Sequence, residues 1–373
     1  MYMKKILFTL FTVFSFITSV QAQTWNMVIT HEDGKRDTIQ TSAVKNVSFN
    51  LPDQNADQVI IKELYVGGCP DNTSTTTYYG DKYCILYNNC SKEAVINNLA
   101  LGYVSPYNGE ASNTWYNAAG NLSYASESYT PSHNGYWYFQ TSLVIEPYSQ
   151  VVVSFNNTVD NTATYSNSIN FVNAAYYAMY DTEAGYTNSK LYSVANVIPT
   201  SHYLKAVRLG IANAWPISQI SPAFFIFQIK GTTPAEYAAD VNNQVYTLSQ
   251  AQSNINLNVK IPNKWILDAV EVYNEAKVST SKKRFTSDID AGYVSLTNKL
   301  GYTLYRNVDK EATEALTENS GKLVYSYSLG VGTSTDPSGI DAEASIKNGA
   351  HIIYSETNNS TTDFHERQKS SLR

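Results

Sequence analysis

Charge is scarce in this chain: Asp, Glu, Lys and Arg make up 16% of 373 residues, whereas aromatic side chains, 30 of them Tyr, reach 13%. A disordered polypeptide needs the opposite balance, so the sequence describes a folded protein. Positive charge is the scarcer sign. The formal net charge is −6, and it becomes −8 if Lys4 and Lys5 leave with an export segment. Such a chain repels phosphate backbones and anionic bilayers, and nucleic acid is not an expected partner. There are 3 Cys and 5 His, with no second Cys or His at metal-ligand spacing from any cysteine, so no metal site is expected. No Gly-x-Ser-x-Gly elbow occurs, and Gly330-Val331-Gly332 lacks the Gly-Lys-Ser/Thr of a nucleotide loop. Neither a cofactor nor catalysis is expected. After the first twenty residues no apolar run is long enough to cross a bilayer, and no repeat of solenoid or propeller period appears.

What is present begins with an address. Lys4 and Lys5 precede an apolar stretch from Ile6 to Val20, and Val20-Gln21-Ala22 offers small residues for a signal peptidase. Residues 1–22 read as a cleaved signal peptide, which places the protein in the periplasm, at the outer-membrane surface or outside the cell. In that oxidising setting Cys84, in the strand Tyr83–Tyr87, reads as a buried small hydrophobe. Cys69 and Cys90 lie in turns and form the candidate disulfide; three free thiols are the alternative, because spacing does not fix a Cα separation.

Residues 23–50 read as a small β-hairpin module. Trp25–Thr30 and Asp37–Thr41 are β-prone runs joined through Asp33-Gly34, and Val44, Val47 and Phe49 continue as a third strand. A polar linker, 51–57, follows. From residue 58 the texture is β-branched and aromatic: Val59–Val66, Ala100–Val104, Val151–Phe155, Ala223–Ile229 and Trp265–Tyr273 read as strands of a mainly antiparallel sandwich. Thr233-Pro234-Ala235-Glu236 supplies a cap, a first-turn proline and a capping-box glutamate for one brief helix. Two long insertions stand out. Residues 105–135 carry Tyr and Trp among Asn, Ser and Gly; residues 307–348 are polar, with one apolar strand expected at Lys322–Leu329, and read as an edge extension.

Several ordered motifs carry a family likeness. Val59–Val66, Tyr83-Cys84-Ile85-Leu86-Tyr87-Asn88, Ile96–Leu101, the proline turn Ile145-Glu146-Pro147-Tyr148 before Val151–Val153, and the closing Glu356–Phe364 run resemble a lamin-tail-type domain. In that turn Tyr148 stands where the lamin-tail pattern has Gly. Ser168–Tyr176, Lys260–Tyr273 and Asp288-Ile289-Asp290-Ala291-Gly292-Tyr293 are similar to the exported Bacteroidetes family known as domain of unknown function 4876 (DUF4876). The resemblance spans residues 58–373 and implies an all-β fold: an Ig-like, lamin-tail-like antiparallel sandwich with long insertions behind a small hairpin unit. It implies no reaction and no ligand.

The remaining chemical signal is aromatic. Flat amphipathic rings in loops can stack on sugars or cover peptide side chains at small entropic cost. Trp115 and Tyr116, in surroundings that offer little core, and Tyr136 and Trp137 are the candidate binding residues. Paired acids, Asp288 with Asp290 or Glu63 with Asp268, are the candidates for hydrolysis, which needs two carboxyls about 5–10 Å apart. The expectation is a non-catalytic binding or accessory module of the cell envelope recognising a glycan, a peptide or an outer-membrane receptor. The rivals are a carboxylate-using glycoside hydrolase and a structural or adhesive surface protein.

Overall fold

The computed structural model describes residues 25–44, 50–73, 75–215, 217–248 and 250–373. The signal segment and the third strand expected through Val47 and Phe49 lie outside the described residues. Contacts divide the chain into two units, Met1–Phe49 and Asn50–Arg373. In the first, Asn26–Thr30 pairs antiparallel with Arg36–Gln40, Met27 opposite Ile39, and the turn uses Gly34 at φ 81°. The Asp-Gly signal in the sequence is thus a real turn.

The second unit is built on one twelve-stranded sheet, whose strands number in chain order: β1 Val59–Tyr65, β2 Tyr83–Asn88, β3 Leu99–Tyr103, β4 Gly135–Tyr138, β5 Gln150–Ser154, β6 Tyr177–Met179, β7 Tyr203–Arg208, β8 Ala223–Gln228, β9 Ile266–Asn274, β10 Val294–Leu296, β11 Thr303–Arg306 and β12 Phe364–Arg367. Across the sheet the order is β10-β9-β8-β3-β4-β7-β6-β5-β2-β1-β11-β12. Most neighbours are antiparallel, but β5–β6, β6–β7 and β9–β10 run parallel.

The sheet curls until its two edges meet, and one core explains why. Val59, Ile61 and Leu64 of β1, Cys84 and Leu86 of β2, Leu101 of β3, Trp137 of β4, Val153 of β5, Met179 of β6, Leu204 of β7, Phe224 and Ile226 of β8, Val270 and Val272 of β9, Leu296 of β10, Leu304 of β11 and Phe364 of β12 all enter a single buried cluster. A flat sheet could not bring the side chains of both edge strands into one core. At the closure the Thr297 backbone N–H donates to the Glu366 carboxylate, and the Thr297 hydroxyl donates to it at 3.2 Å.

Alternation leaves the outer face of many strands apolar as well, and both insertions cover it. Phe225 and Phe227 of β8 and Tyr136 of β4 point outward, onto the strand Leu257–Pro262, the helix Pro234–Ala239, Phe285 and the loop residues Trp115 and Tyr124. Ile60, Tyr87 and Tyr305 point out of the opposite wall onto Ile340, Ile352 and Tyr354. The 307–348 insertion is therefore mainly a cover on a sheet face, and it extends an edge only at Leu329–Val331, where Val331 N donates to Glu366 O at 3.2 Å and Gln368 N to Leu329 O at 2.8 Å. Lys322–Leu329 is irregular rather than a strand, because its backbone bonds go elsewhere: Ser345 Oγ accepts from Val324 N at 2.9 Å, and Asp341 N donates to Val324 O at 2.8 Å. The segment expected as a linker lies along the body, with Gln54 bridging Val95 and Asp53 accepting from Asn97 N at 2.8 Å.

The candidate disulfide is corrected. Cys69, Cys84 and Cys90 are all free. Cys69 pairs with Tyr78 near the Tyr65/Tyr83 end of β2, whereas Cys90 follows Asn88 at its far end. Six residues of strand hold the two apart, roughly 20 Å at 3.3 Å per residue, which no disulfide spans.

Candidate functional site

The four aromatic candidates do not form a surface. Trp115 is 2% exposed; its indole N–H donates to Ser105 Oγ at 3.0 Å, and its ring meets Tyr124 edge-on at 5.3 Å. Tyr136 and Trp137 are fully buried on opposite faces of β4. The Tyr136 hydroxyl donates to Pro234 O at 2.6 Å, and Trp137 stacks on Tyr186 at 4.9 Å. Only Tyr116 stays half-buried, with its hydroxyl tied to Lys283 O at 3.1 Å and Lys282 over its ring. The correction has one cause: β8 and its neighbours are apolar on both faces, so the aromatic loop is needed as their cover.

The acid pairs fare similarly. Asp290 is buried and accepts from Ser360 N at 2.8 Å, Ser360 Oγ at 2.6 Å and Glu271 N at 2.8 Å, while Asp288 is exposed and bonds Asn263. Glu63 accepts from the Tyr83 hydroxyl at 2.7 Å, and Asp268 is bound by Arg306 and by Ile61 N. Each of these carboxylates secures a strand or a turn. Among the described residues no group of three His, Cys, Asp or Glu is placed to hold a metal ion.

The chemistry that remains available lies at the seam where β10 meets β12. A groove of about 440 Å³ opens there, lined by Glu275, Tyr293, Ser295, Thr297, Thr333, Thr361, Phe364 and Glu366. Its formation follows from topology: β10 and β12 do not ladder with each other. The outer edge of β12 is taken instead by Leu329–Val331, with Val331 N donating to Glu366 O at 3.2 Å and Gln368 N to Leu329 O at 2.8 Å, and the gap to β10 is bridged by the Thr297 and Glu366 pair. Tyr293 is held rigid by stacking on Tyr273, centroids 4.2 Å apart at 14°, and by Thr361, whose hydroxyl accepts from Tyr293 N at 3.0 Å and donates to Tyr293 O at 2.8 Å. Glu366 is 4% exposed. Burial raises its carboxyl above the ordinary range, the bonds from Thr297 pull it back, and the like charge of Glu275 adds to the rise. Glu275 itself is exposed. Thus the groove combines one fixed aromatic face, two carboxylates and several hydroxyls over an apolar floor.

Glu275, Tyr293 and Glu366 were not among the candidates from sequence. Two motifs did point near them: Asp288–Tyr293 and Glu356–Phe364 meet at the groove, where Ala291 N donates to Asn358 O at 2.7 Å and Asp290 caps Ser360.

A larger cavity of about 550 Å³ lies beside β7, lined by Gln140, Tyr180, Val194, Ile198, Tyr203 and Lys205. Its one cation is already engaged, since Lys205 contacts Glu183 at 3.0 Å and Asp181 at 3.4 Å.

Comparison with known proteins places these features in a group. The family model described as "Protein of unknown function (DUF4876)" matches residues 146–371, which include every groove residue. The crystal structure of a DUF4876 family protein from Bacteroides thetaiotaomicron VPI-5482 is similar, with a TM-score of 0.56 and 19% sequence identity over 91% of this chain and 80% of that one. At that identity the likeness speaks for the fold. No curated protein matches.

Proposed function

This chain belongs to the DUF4876 family, and from that premise we propose that it is an exported, non-catalytic binding or accessory module of a Bacteroidetes cell envelope that takes a glycan in the seam groove. In this reading the body is an elaborated lamin-tail-like sandwich, used as a rigid frame for the groove. The signal-like sequence at residues 4–22 supports export, and the acidic balance argues against nucleic acid.

The observation that carries the reading is the immobilised Tyr293 face beside Glu275 and a row of hydroxyls. A pyranose offers an apolar C–H face to a ring and vicinal hydroxyls to a carboxylate, and a pre-ordered tyrosine loses little entropy when it stacks. Ser295 and Thr333 add groups that both donate and accept. The volume suits one or two sugar units rather than a protein surface.

Calorimetry of the mature protein against a glycan panel tests this. Tyr293→Ala and Glu275→Gln each weaken the best binder about tenfold or more; Glu275→Gln leaves the melting temperature in place, while Tyr293→Ala lowers it modestly through the lost Tyr273 stack. A panel without a binder, or one whose binder ignores both substitutions while a peptide or an outer-membrane receptor is retained, overturns the reading.

One observation favours a second reading. A carboxyl raised by burial, Glu366, next to an exposed acid, Glu275, is the pairing that glycoside hydrolysis uses. Against it, the Thr297 N–H and hydroxyl already bond the Glu366 carboxylate oxygens. Release of reducing sugar that disappears in Glu366→Gln would establish the hydrolase instead.

A further inference from the structure

The cations around the seam groove are committed elsewhere. Among the described residues that line it there is no Lys, Arg or His, while two carboxylates do, Glu275 and Glu366. Behind the floor ring of Phe364 lies the Arg306 guanidinium, centred 4.3 Å from it, and Asp268, Glu356 and Asp363 all contact that charge. Lys283, whose Nζ donates to Gly292 O next to Tyr293, stands 3.8 Å from both Glu271 and Asp290. Arg367 follows Glu366 in sequence but turns to the opposite side of β12, over the Tyr305 ring at 4.6 Å. Lys277, on the same turn as Glu275, is exposed and does not line the groove.

Two like charges therefore share one opening without a counter-ion. They sense each other, since Glu275 adds to the rise of the Glu366 carboxyl and no cation offsets it. Of the two, Glu275 is open to a ligand; Glu366, nearly covered and bonded by Thr297, acts through its field alone. Tyr293, half-buried with one face on Tyr273, also lines the groove. The face of a tyrosine ring attracts a cation as well as the C–H face of a sugar.

We propose that the glycan taken by the groove is an amino sugar with a free amine, its ammonium meeting Glu275 and the Tyr293 ring. This inference rests on the glycan reading above. An ammonium supplies the positive charge that the lining lacks, and Ser295 and Thr333 remain for the hydroxyls of the sugar. A uronic acid or a sulfated sugar brings a third negative charge into the opening and is disfavoured. An N-acetyl group removes the charge and with it the advantage.

NMR titration of the mature protein at about pH 6, where a sugar ammonium stays protonated, compares glucosamine with glucose and galactosamine with galactose, each beside its N-acetyl form and its uronic acid. In the series that binds, the amine is held about three- to tenfold more tightly than the neutral parent, the joint worth of one exposed ion pair and one cation–π contact. The N-acetyl form falls back to the parent, and the uronic acid binds weakest. About 0.5 M salt narrows the lead of the amine without moving the parent. Glu275→Gln erases that lead, which separates the groove from a diffuse attraction of amines to an acidic protein. The two readings fail differently. Neutral sugars that bind as tightly as their amines, or an amine lead that survives Glu275→Gln, overturn the amino-sugar proposal and leave the glycan reading standing. Absence of binding by every sugar tested, charged or neutral, overturns both.

Discussion

Replacing Arg284 by Met should be among the most damaging single changes available in the body. Arg284 and Glu271 are both fully buried. Arg284 Nε and Nη2 lie 2.8 and 2.7 Å from Glu271 Oε1, while Oε2 accepts from the backbone N–H groups of Arg284 at 2.7 Å and Phe285 at 3.0 Å. The other guanidinium hydrogens reach Pro106 O, Ser221 O and Val272 O, so one side chain ties the 105–128 loop to β9 and to the chain before β8. Methionine fills similar volume but strands a buried carboxylate, with only Lys283, 3.8 Å away, as a remaining cation. Breaking such a pair from one side costs about 3–5 kcal/mol, a large share of the roughly 5–15 kcal/mol that holds a domain folded. Urea unfolding followed by tryptophan fluorescence reads the loss as a lower midpoint at constant m. Adding Glu271→Gln removes the stranded charge and keeps an acceptor for the two N–H groups. The double variant should recover about 1–3 kcal/mol relative to additivity. A single variant that costs under about 1 kcal/mol, or a double variant that is simply additive, would refute the reasoning.

Lys82 makes the opposite case, a buried cation that works against folding. It is 6% exposed, donates to Ile217 O at 2.8 Å, and burial lowers its amine from 10.5 to about 8. Below pH 8 both states are charged and the full penalty stands. Between 8 and 10.5 the unfolded chain binds more protons, so stability rises with pH. Lys82→Met should therefore stabilise the protein at pH 7 by up to about 3 kcal/mol, less about 1 for the lost hydrogen bond, and the advantage should shrink by pH 10. The difference between the two proteins is the quantity to measure. Cys69, raised by burial from 9.0 to about 12, lowers the stability of both above pH 9. A gap that is constant from pH 7 to 10 would contradict the assignment. For the cysteines, thiol titration without reductant should find one reactive group in the native protein, the half-buried Cys90, and three in denaturant. Finding a single thiol in denaturant would restore the Cys69–Cys90 bond.

Much of the framework was legible because it rests on local rules. The Val59–Tyr65, Tyr83–Asn88 and Ile266–Asn274 strands fall where β-branched runs and turn residues place them, and Thr233 with Glu236 forms the expected reciprocal cap. Asn358 takes the left-handed turn the closing motif requires, and Phe364 plugs the core. Tyr148, in the turn before β5, adopts φ 51° and is held by stacking on His351 at 4.7 Å. Curling of the sheet was not legible, because it depends on which edge strands meet. Nor was the fate of the aromatic loop: a Trp flanked by Asn, Ala and Gly reads as exposed until the outer face of β8 is known to be apolar.

A single bulge in β1 shows how far such non-local effects reach. Ile61 opposes Leu86 and Glu63 opposes Ile85, so Lys62 is the extra residue and the alternation shifts by one. Strict alternation would have put Leu64 on the same face as Lys62 and Ile60, leaving a charge beneath the outer cover and an aliphatic side chain with it. With the bulge, Ile61 and Leu64 both enter the core, while Lys62 and Glu63 both face outward under the covers. Each then needs its own partners, and the late parts of the chain supply them. Lys62 lies 2.8 Å from Glu343 and over the rings of Tyr87, Tyr305 and Tyr354, and Glu63 takes Tyr83 and Ser371. The 307–348 cover is thus bound to β1 through Lys62, which faces outward with or without the bulge, and the chain end through Glu63, the charge that the bulge turned to that side. The same closing stretch forms β12 and with it one bank of the seam groove. A register choice near residue 62 is therefore coupled, through ion pairs and packing, to the groove more than 200 residues later in the sequence.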